Sequence, residues 1–255
     1  MIVIFAILVV AIIGGFSVYA KQRKRVTTYA LPADTEQILL GKVRFYRELS
    51  DADKTVFKQR IKDFLAHVAI TGVDTEVEDL DRLLIASGAI IPIFSFPDWR
   101  YNNISEVLLY KGTFNKDYDT DEGERTLLGM VGDGALHREM ILSKPSVRSS
   151  FANDSDGYNT VIHEFVHLLD KADGATDGIP EYLLGRPYII PWVKYMHETI
   201  QQMRQSRHSD INLYGATNDA EFFAVISEYF FEKPAELKTH HPELYGMLAQ
   251  MFHPQ

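Results

Sequence analysis

Hydrophobic and polar positions along the chain alternate mostly at helical spacing, with a few short runs patterned for strands. Thr35 to Leu49 reads as one helix. Ser50 caps a second, in which Val56, Phe57, Ile61, Phe64, Leu65 and Val68 recur toward one side. A third is expected from Glu76 to Ser87, with Leu80, Leu83, Leu84 and Ile85 inward. Glu106–Tyr110, Thr126–Val131 and Arg138–Ser143 read as short strands. The segment from Tyr158 to Asp170 is apolar nearly all round, which predicts a helix buried in a core. Pro191 is expected to open a helix with Trp192, Met196, Ile200 and Met203 on one face. Asn218–Phe231 forms another, and Pro242 starts a last one. The pattern predicts an α+β class, mostly helical with a small sheet.

The amino terminus departs from this pattern. Ile2 to Ala20 carries no charge, and Lys21, Arg23, Lys24 and Arg25 follow at once. As a helix the run measures about 28 Å, close to the hydrocarbon thickness of a bilayer. Positive charge behind the run rather than before it predicts a retained transmembrane helix in the inner (cell) membrane. The placement is single-pass, with everything after Lys21 cytoplasmic and the basic cluster against anionic lipid headgroups. The expected organisation is an anchor with its basic flank over 1–25, a tether over 26–34 and a folded domain over 35–255.

Charge and cysteine content narrow the chemistry. The chain has 26 basic and 35 acidic residues. Removing the four basic residues of 1–25 leaves 22 against 35, a net −13 that repels phosphate backbones and argues against direct nucleic-acid binding. There is no cysteine, so any metal must be held by histidine and carboxylate. Asp117, Asp119, Asp121 and Glu122 cluster in one loop. Gly123 falls one place late for a calcium loop and Leu128 occupies its twelfth position, so a solvated acidic loop is expected.

The candidate chemistry lies in His163-Glu164-Phe165-Val166-His167. Positions i and i+4 of a helix share a face, so both imidazoles can reach one ion, and the adjacent Glu164 can take a proton from a water there. Burying two histidines and a carboxylate in an apolar helix without a partner costs several kcal/mol, which favours a metal over a packing role. Asp170, one turn beyond His167, suits support of a ligand imidazole. For a third ligand the downstream candidates are Asp170, His197, His208, Asp219, Glu221, Glu228, His240 and His241. Glu221 and Glu228 stand out because both lie on an apolar helix, two turns apart. Spacing does not choose between them. The Arg138–Ser143 strand, just ahead of the histidine helix, is expected to offer an edge to an extended peptide.

Several segments together resemble the Mlc titration factor A family of bacterial zinc peptidases. They are Ile141–Ser143, Gly157–Asn159, the His163–Asp170 stretch, Gly174, Gly178–Pro180 and Tyr214–Phe231, with weaker similarity at Ile85–Pro92 and Leu108–Tyr110. The resemblance runs from about residue 35 to the end. It implies a gluzincin-like zincin fold related to the catalytic domain of anthrax lethal factor. It also implies one Zn²⁺ per chain on His163, His167 and Glu221, with Glu164 as general base and Tyr214 steadying the oxyanion. The implied activity is hydrolysis of peptide or protein substrates, aminopeptidase-type. The family's other implied role is binding and inactivating the repressor Mlc. The alternative is therefore a regulatory binding protein that sequesters a transcriptional repressor, its zinc mainly structural. The better-known members are soluble, and the apolar run at Ile2–Ala20 is where this chain departs from them.

Overall fold

The computed structural model describes residues 29–112, 129–131, 138–153, 156–206 and 209–253. Helices α1 (Thr35–Lys42) and α2 (Arg44–Glu48) replace the single helix expected over 35–49. Val43 breaks them apart in an extended conformation (φ −112°, ψ 100°) while its side chain stays in the core. Ser50 caps α3 (Asp51–His67) as expected, its hydroxyl accepting from the Asp53 N–H at 3.2 Å. Phe57, Ile61 and Phe64 face inward, but Val56 is 47% exposed, because the buried stripe is narrower than the hydrophobic run.

Strand β1 (Ala69–Val73) follows α3 directly, and α4 (Asp79–Ile90) starts later than expected. A reciprocal capping box between Glu78 and Asp81 sets that start. Strands β2 (Glu106–Tyr110), β3 (Gly129–Val131) and β4 (Glu139–Ser143) complete a four-stranded sheet in the order β1-β2-β4-β3. β1, β2 and β4 run parallel, with Val107 opposite Ile70 and Met140, and β3 lies antiparallel to β4. Val107, Leu109, Met140 and Leu142 point into the core. The Arg138–Ser143 strand is thus interior, and among the described residues the edge on this side belongs to β3. Sheet order is set by pairing between distant segments, which local spacing does not encode.

After the short α5 (Lys144–Ser149), α6 (Thr160–Asp170) crosses the core against α4 and α8 (Asp219–Glu232). Its contact with α4 is close: a Cβ on Gly88 would meet a Val161 methyl at 2.4 Å. Between α6 and α8 run α7 (Arg186–Gln205) and a 3₁₀ turn at Leu213–Ala216; α9 (Pro234–His240) and α10 (Pro242–Phe252) close the domain. Helix α7 begins a turn before Pro191, at Arg186-Pro187, so Pro191 lies inside it. Trp192, Met196, Ile200 and Met203 form its buried face, as the periodicity predicts.

The membrane placement requires correction. Among the described residues no helix is long and apolar enough to cross a membrane. Even the 20-residue α7 carries Arg186, Lys194, Glu198 and Arg204, charges that are costly in hydrocarbon. The single-pass, inner-membrane placement, with its bilayer contact, therefore has no spanning element to support it. The 1–25 segment from which it was read lies outside the described residues.

Candidate metal centre

Helix α6 owes its position to Asn159, which is fully buried at its N-cap. The Asn159 side-chain oxygen accepts from the Ile162 N–H at 3.0 Å, and its amide donates to Ser150 O at 3.0 Å and Glu232 Oε1 at 2.9 Å. Its backbone N–H donates to Glu228 Oε2 at 2.6 Å. The first turn of α6 is thereby pinned to the last turns of α8. At the other end Gly178, at φ +75°, lets the returning chain pass against α8; a Cβ there would lie 2.4 Å from Asp219 O. Only a residue without a side chain fits both constraints.

Between these fixed points three donor atoms converge. His163 Nε2 lies 3.0 Å from Glu221 Oε2 and 3.1 Å from His167 Nε2, and His167 Nε2 lies 3.4 Å from Glu221 Oε2. These three residues are the group among the described residues that could hold a metal ion. The fit can be tested from the distances. Ligands about 2.0–2.1 Å from a tetrahedral ion sit about 3.3 Å from one another, and the observed triangle has edges of that size.

Electrostatics point the same way. Burial pushes the His163 imidazole down, but its hydrogen bonds to Glu221 and Glu228 outweigh that and raise its pKa to about 10. Burial likewise opposes charge on Glu221, yet the hydrogen bonds from His163 and His167 hold its carboxyl well below the usual carboxylate range. The site is arranged for a cation.

Glu228 stands behind the cluster rather than in it. Its Oε1 accepts from His163 Nδ1 at 2.7 Å, which turns His163 Nε2 toward Glu221 and His167. Glu164 is buried beside both histidines, and burial raises its pKa above the ordinary glutamate value. Tyr214 sits on the 3₁₀ turn, 52% exposed, with its ring centroid 6.1 Å from that of His163. Partial burial, followed by the charge of Glu221 and a hydrogen bond to it, pushes its phenol up to about 12.

Asp170 is placed otherwise than its spacing suggests. Its Oδ2 accepts from the Gly178 N–H at 2.8 Å, while its Oδ1 and His167 Nδ1 are both buried and make no hydrogen bond among the described residues. Burial raises Asp170 to about 6. The remaining candidates lie elsewhere. His197 and Asp219 form an exposed pair 2.9 Å apart, His240 and His241 converge on Asp210, and His208 is outside the described residues. Residue patterning missed the Asn159–Glu228–Glu232 network. The available clue was the 228/232 spacing, which places two carboxylates on one face of an otherwise apolar helix.

Comparison with known proteins agrees with this geometry. The family model described as glucose-regulated metallo-peptidase M90 matches residues 18–253. The uncharacterized protein slr2042 of Synechocystis sp. is 29% identical over 258 residues, covering 96% of this chain and 92% of its own. Mlc titration factor A of Pectobacterium atrosepticum is 30% identical over 185 residues, 68% of each chain, and that of Escherichia fergusonii 28% over 188 residues, 69% of each. With a family match that spans the sheet, the histidine helix and the glutamate helix alike, the chain belongs to the M90 family of glucose-regulated metallo-peptidases.

Proposed function

We propose that the chain is a zinc-dependent peptidase in which His163, His167 and Glu221 hold the ion and Glu164 is the general base. The observation that carries this reading is the convergence of two imidazole nitrogens and one carboxylate oxygen within 3.0–3.4 Å, with a buried glutamate alongside. Zinc supplies Lewis acidity there, acidifying water and polarising a carbonyl. Glu164, its proton affinity raised by burial, accepts the proton of the attacking water and delivers it to the leaving amine. The Tyr214 phenol, still protonated at neutral pH, donates to the developing oxyanion. Glu228 fixes the His163 ring by holding its Nδ1–H. The outer edge of β3 pairs with an extended peptide substrate through main-chain hydrogen bonds.

Aminopeptidase-type cleavage is the finer form of this proposal, and it follows from the family resemblance. A peptide library in free and N-acetylated forms tests it, since acetylation should abolish cleavage by an enzyme that reads the free amine. A second reading is favoured by the relatives named Mlc titration factor A, a name that implies sequestration of a regulator. Glu164→Gln separates the two. A peptidase keeps its zinc and loses hydrolysis by a factor of about 10² or more, whereas a sequestering protein keeps its cellular effect. Cleavage at the wild-type rate by Glu164→Gln would sink the mechanism.

A further inference from the structure

One residue holds His163 at both ends. The Asn159 carbonyl accepts from the His163 N–H at 2.9 Å, the first hydrogen bond of α6. The Asn159 N–H donates to Glu228 Oε2 at 2.6 Å, and Glu228 Oε1 accepts from His163 Nδ1 at 2.7 Å. A closed ring of contacts thus runs from the Asn159 backbone through Glu228 to the imidazole and back along the helix. Both oxygens of the Glu228 carboxylate are engaged, so it cannot turn without releasing either the backbone or the imidazole. His167 lacks this support: among the described residues its buried Nδ1 makes no hydrogen bond. The aim of the imidazole pair therefore depends on the His163 side.

What fixes Asn159 is its side chain, and capping alone does not account for it. A cap requires one oxygen, and Ser or Asp supplies it as well as Asn does. Asparagine adds an amide nitrogen, which donates to Ser150 O at 3.0 Å and to Glu232 Oε1 at 2.9 Å. Glu232 is the last residue of α8, buried where the peptidase chemistry does not use it. A buried carboxyl group is costly unless it is hydrogen-bonded, and the Asn159 amide donates to it. Glu228 and Glu232, one turn apart on α8, thus hold the backbone and the side chain of the same residue.

We propose that Asn159 and Glu232 are positioning residues for the metal centre. The inference rests on the reading of His163 as a zinc ligand. Neither residue belongs to the donor cluster. Glu232 fixes the Asn159 amide, Asn159 presents its N–H to Glu228, and Glu228 turns His163 Nε2 toward Glu221 and His167. Zinc affinity then depends on a carboxyl group that reaches the ligand only through two other residues.

Chelator competition for zinc on the full chain tests this with Asn159→Asp. Aspartate caps a helix as well as asparagine, but it has no amide nitrogen and sets an oxygen against Glu232. A capping role alone leaves zinc affinity unchanged, whereas positioning predicts a loss of about 10- to 100-fold with the zinc-free fold retained in urea unfolding. Adding Glu232→Gln supplies an amide that donates to the new carboxylate and should restore most of the affinity. Glu232→Gln alone, whose amide oxygen still accepts from Asn159, should cost less than Asn159→Asp. If Asn159→Asp does not fold, Glu232→Leu decides. It keeps the Ile162 cap, the Ser150 contact and the bond from Arg44 to the 232 carbonyl, and should still weaken zinc by about tenfold. Undiminished affinity in Asn159→Asp or Glu232→Leu, or a double variant no better than Asn159→Asp, overturns the proposal. A wild type that binds no zinc overturns the zinc reading and this inference with it, whereas equal binding by wild type and variant overturns this inference alone.

Discussion

Two places in this protein bring two histidines and a carboxylate together, and they do opposite things with them. At the first, His163 and His167 come from successive turns of α6 and Glu221 from α8, and their donor atoms converge on one another. At the second, His240 and His241 are neighbours in sequence and both turn onto Asp210, at 3.1 and 2.9 Å, where the Tyr229 hydroxyl also donates at 3.1 Å. Adjacent residues at a helix end diverge, and these two rings stand 6.5 Å apart. The carboxylate at their centre already occupies the place where an ion would sit. Composition does not make a candidate metal centre; convergence of donor atoms from two helices, backed by buried partners, does.

The largest effect should separate the clusters outright. Replacing a ligand, as in His163→Ala or Glu221→Gln, is expected to weaken zinc binding well beyond the about 100-fold typical of supporting residues and to remove hydrolysis. His241→Ala should leave metal content at one per chain. Metal analysis after dialysis reads both, and zinc loss in His241→Ala would erase the distinction. Glu228→Gln comes next, since a glutamine can still accept from His163 Nδ1 but without charge. A loss of about 10- to 100-fold in metal affinity or activity is expected, measured by chelator competition. If Glu228→Gln loses zinc entirely while Glu221→Gln keeps it, the ligand assignment is reversed. A smaller effect tests the scaffold. Gly88→Ala drives a methyl into Val161 and forces α4 from α6, at a cost of about 1–3 kcal/mol in unfolding free energy. Unfolding indistinguishable from wild type would mean that close packing does not hold α6 in place.

How far the sequence carries depends on whether a feature is local. His163, Glu164 and His167 were legible because one helical period holds all three, and α8 was legible because Phe222–Ile226 and Tyr229–Phe231 make most of it apolar. The carboxylate that meets the two imidazoles was not. Glu221 and Glu228 share a face, and which of them meets the imidazole Nε2 atoms depends on where α8 crosses α6. The β4 strand was read correctly as a strand and wrongly as an edge, because β3 folds back over it. β1 escaped notice as five residues directly behind a helix, with Gly72 weakening the pattern. Pro187 marks the true start of α7, whereas Pro191, one turn later, imitates one. Asp170 had the right spacing for His167, but the hydrogen bond it makes through Oδ2 is from the Gly178 N–H, a contact formed only when the chain returns from its turn.

The smallest predicted effect comes from the second cluster. Burial pushes the Asp210 carboxyl up, but hydrogen bonds from His241, Tyr229 and His240 and the His241 charge outweigh this and hold it below the usual value. A carboxylate depressed on folding contributes stability that is fully present above its unfolded pKa of about 3.9 and fades as pH falls through the folded value. Asp210→Asn should therefore be less stable than wild type at neutral pH, and the gap should close below about pH 4. The side chain is about a third exposed, so solvent screening limits the neutral-pH difference to about 0.5–1 kcal/mol. Urea unfolding across that range measures it. Because Asp210 lies four residues before Tyr214, at the entry to the same 3₁₀ turn, the variant also probes whether the two clusters communicate. Unchanged zinc content with a modest fall in turnover would show the Asp210 hub acting on the position of Tyr214. A loss of zinc in Asp210→Asn would mean that the surface cluster is part of the metal centre after all, and the contrast between the two would fail.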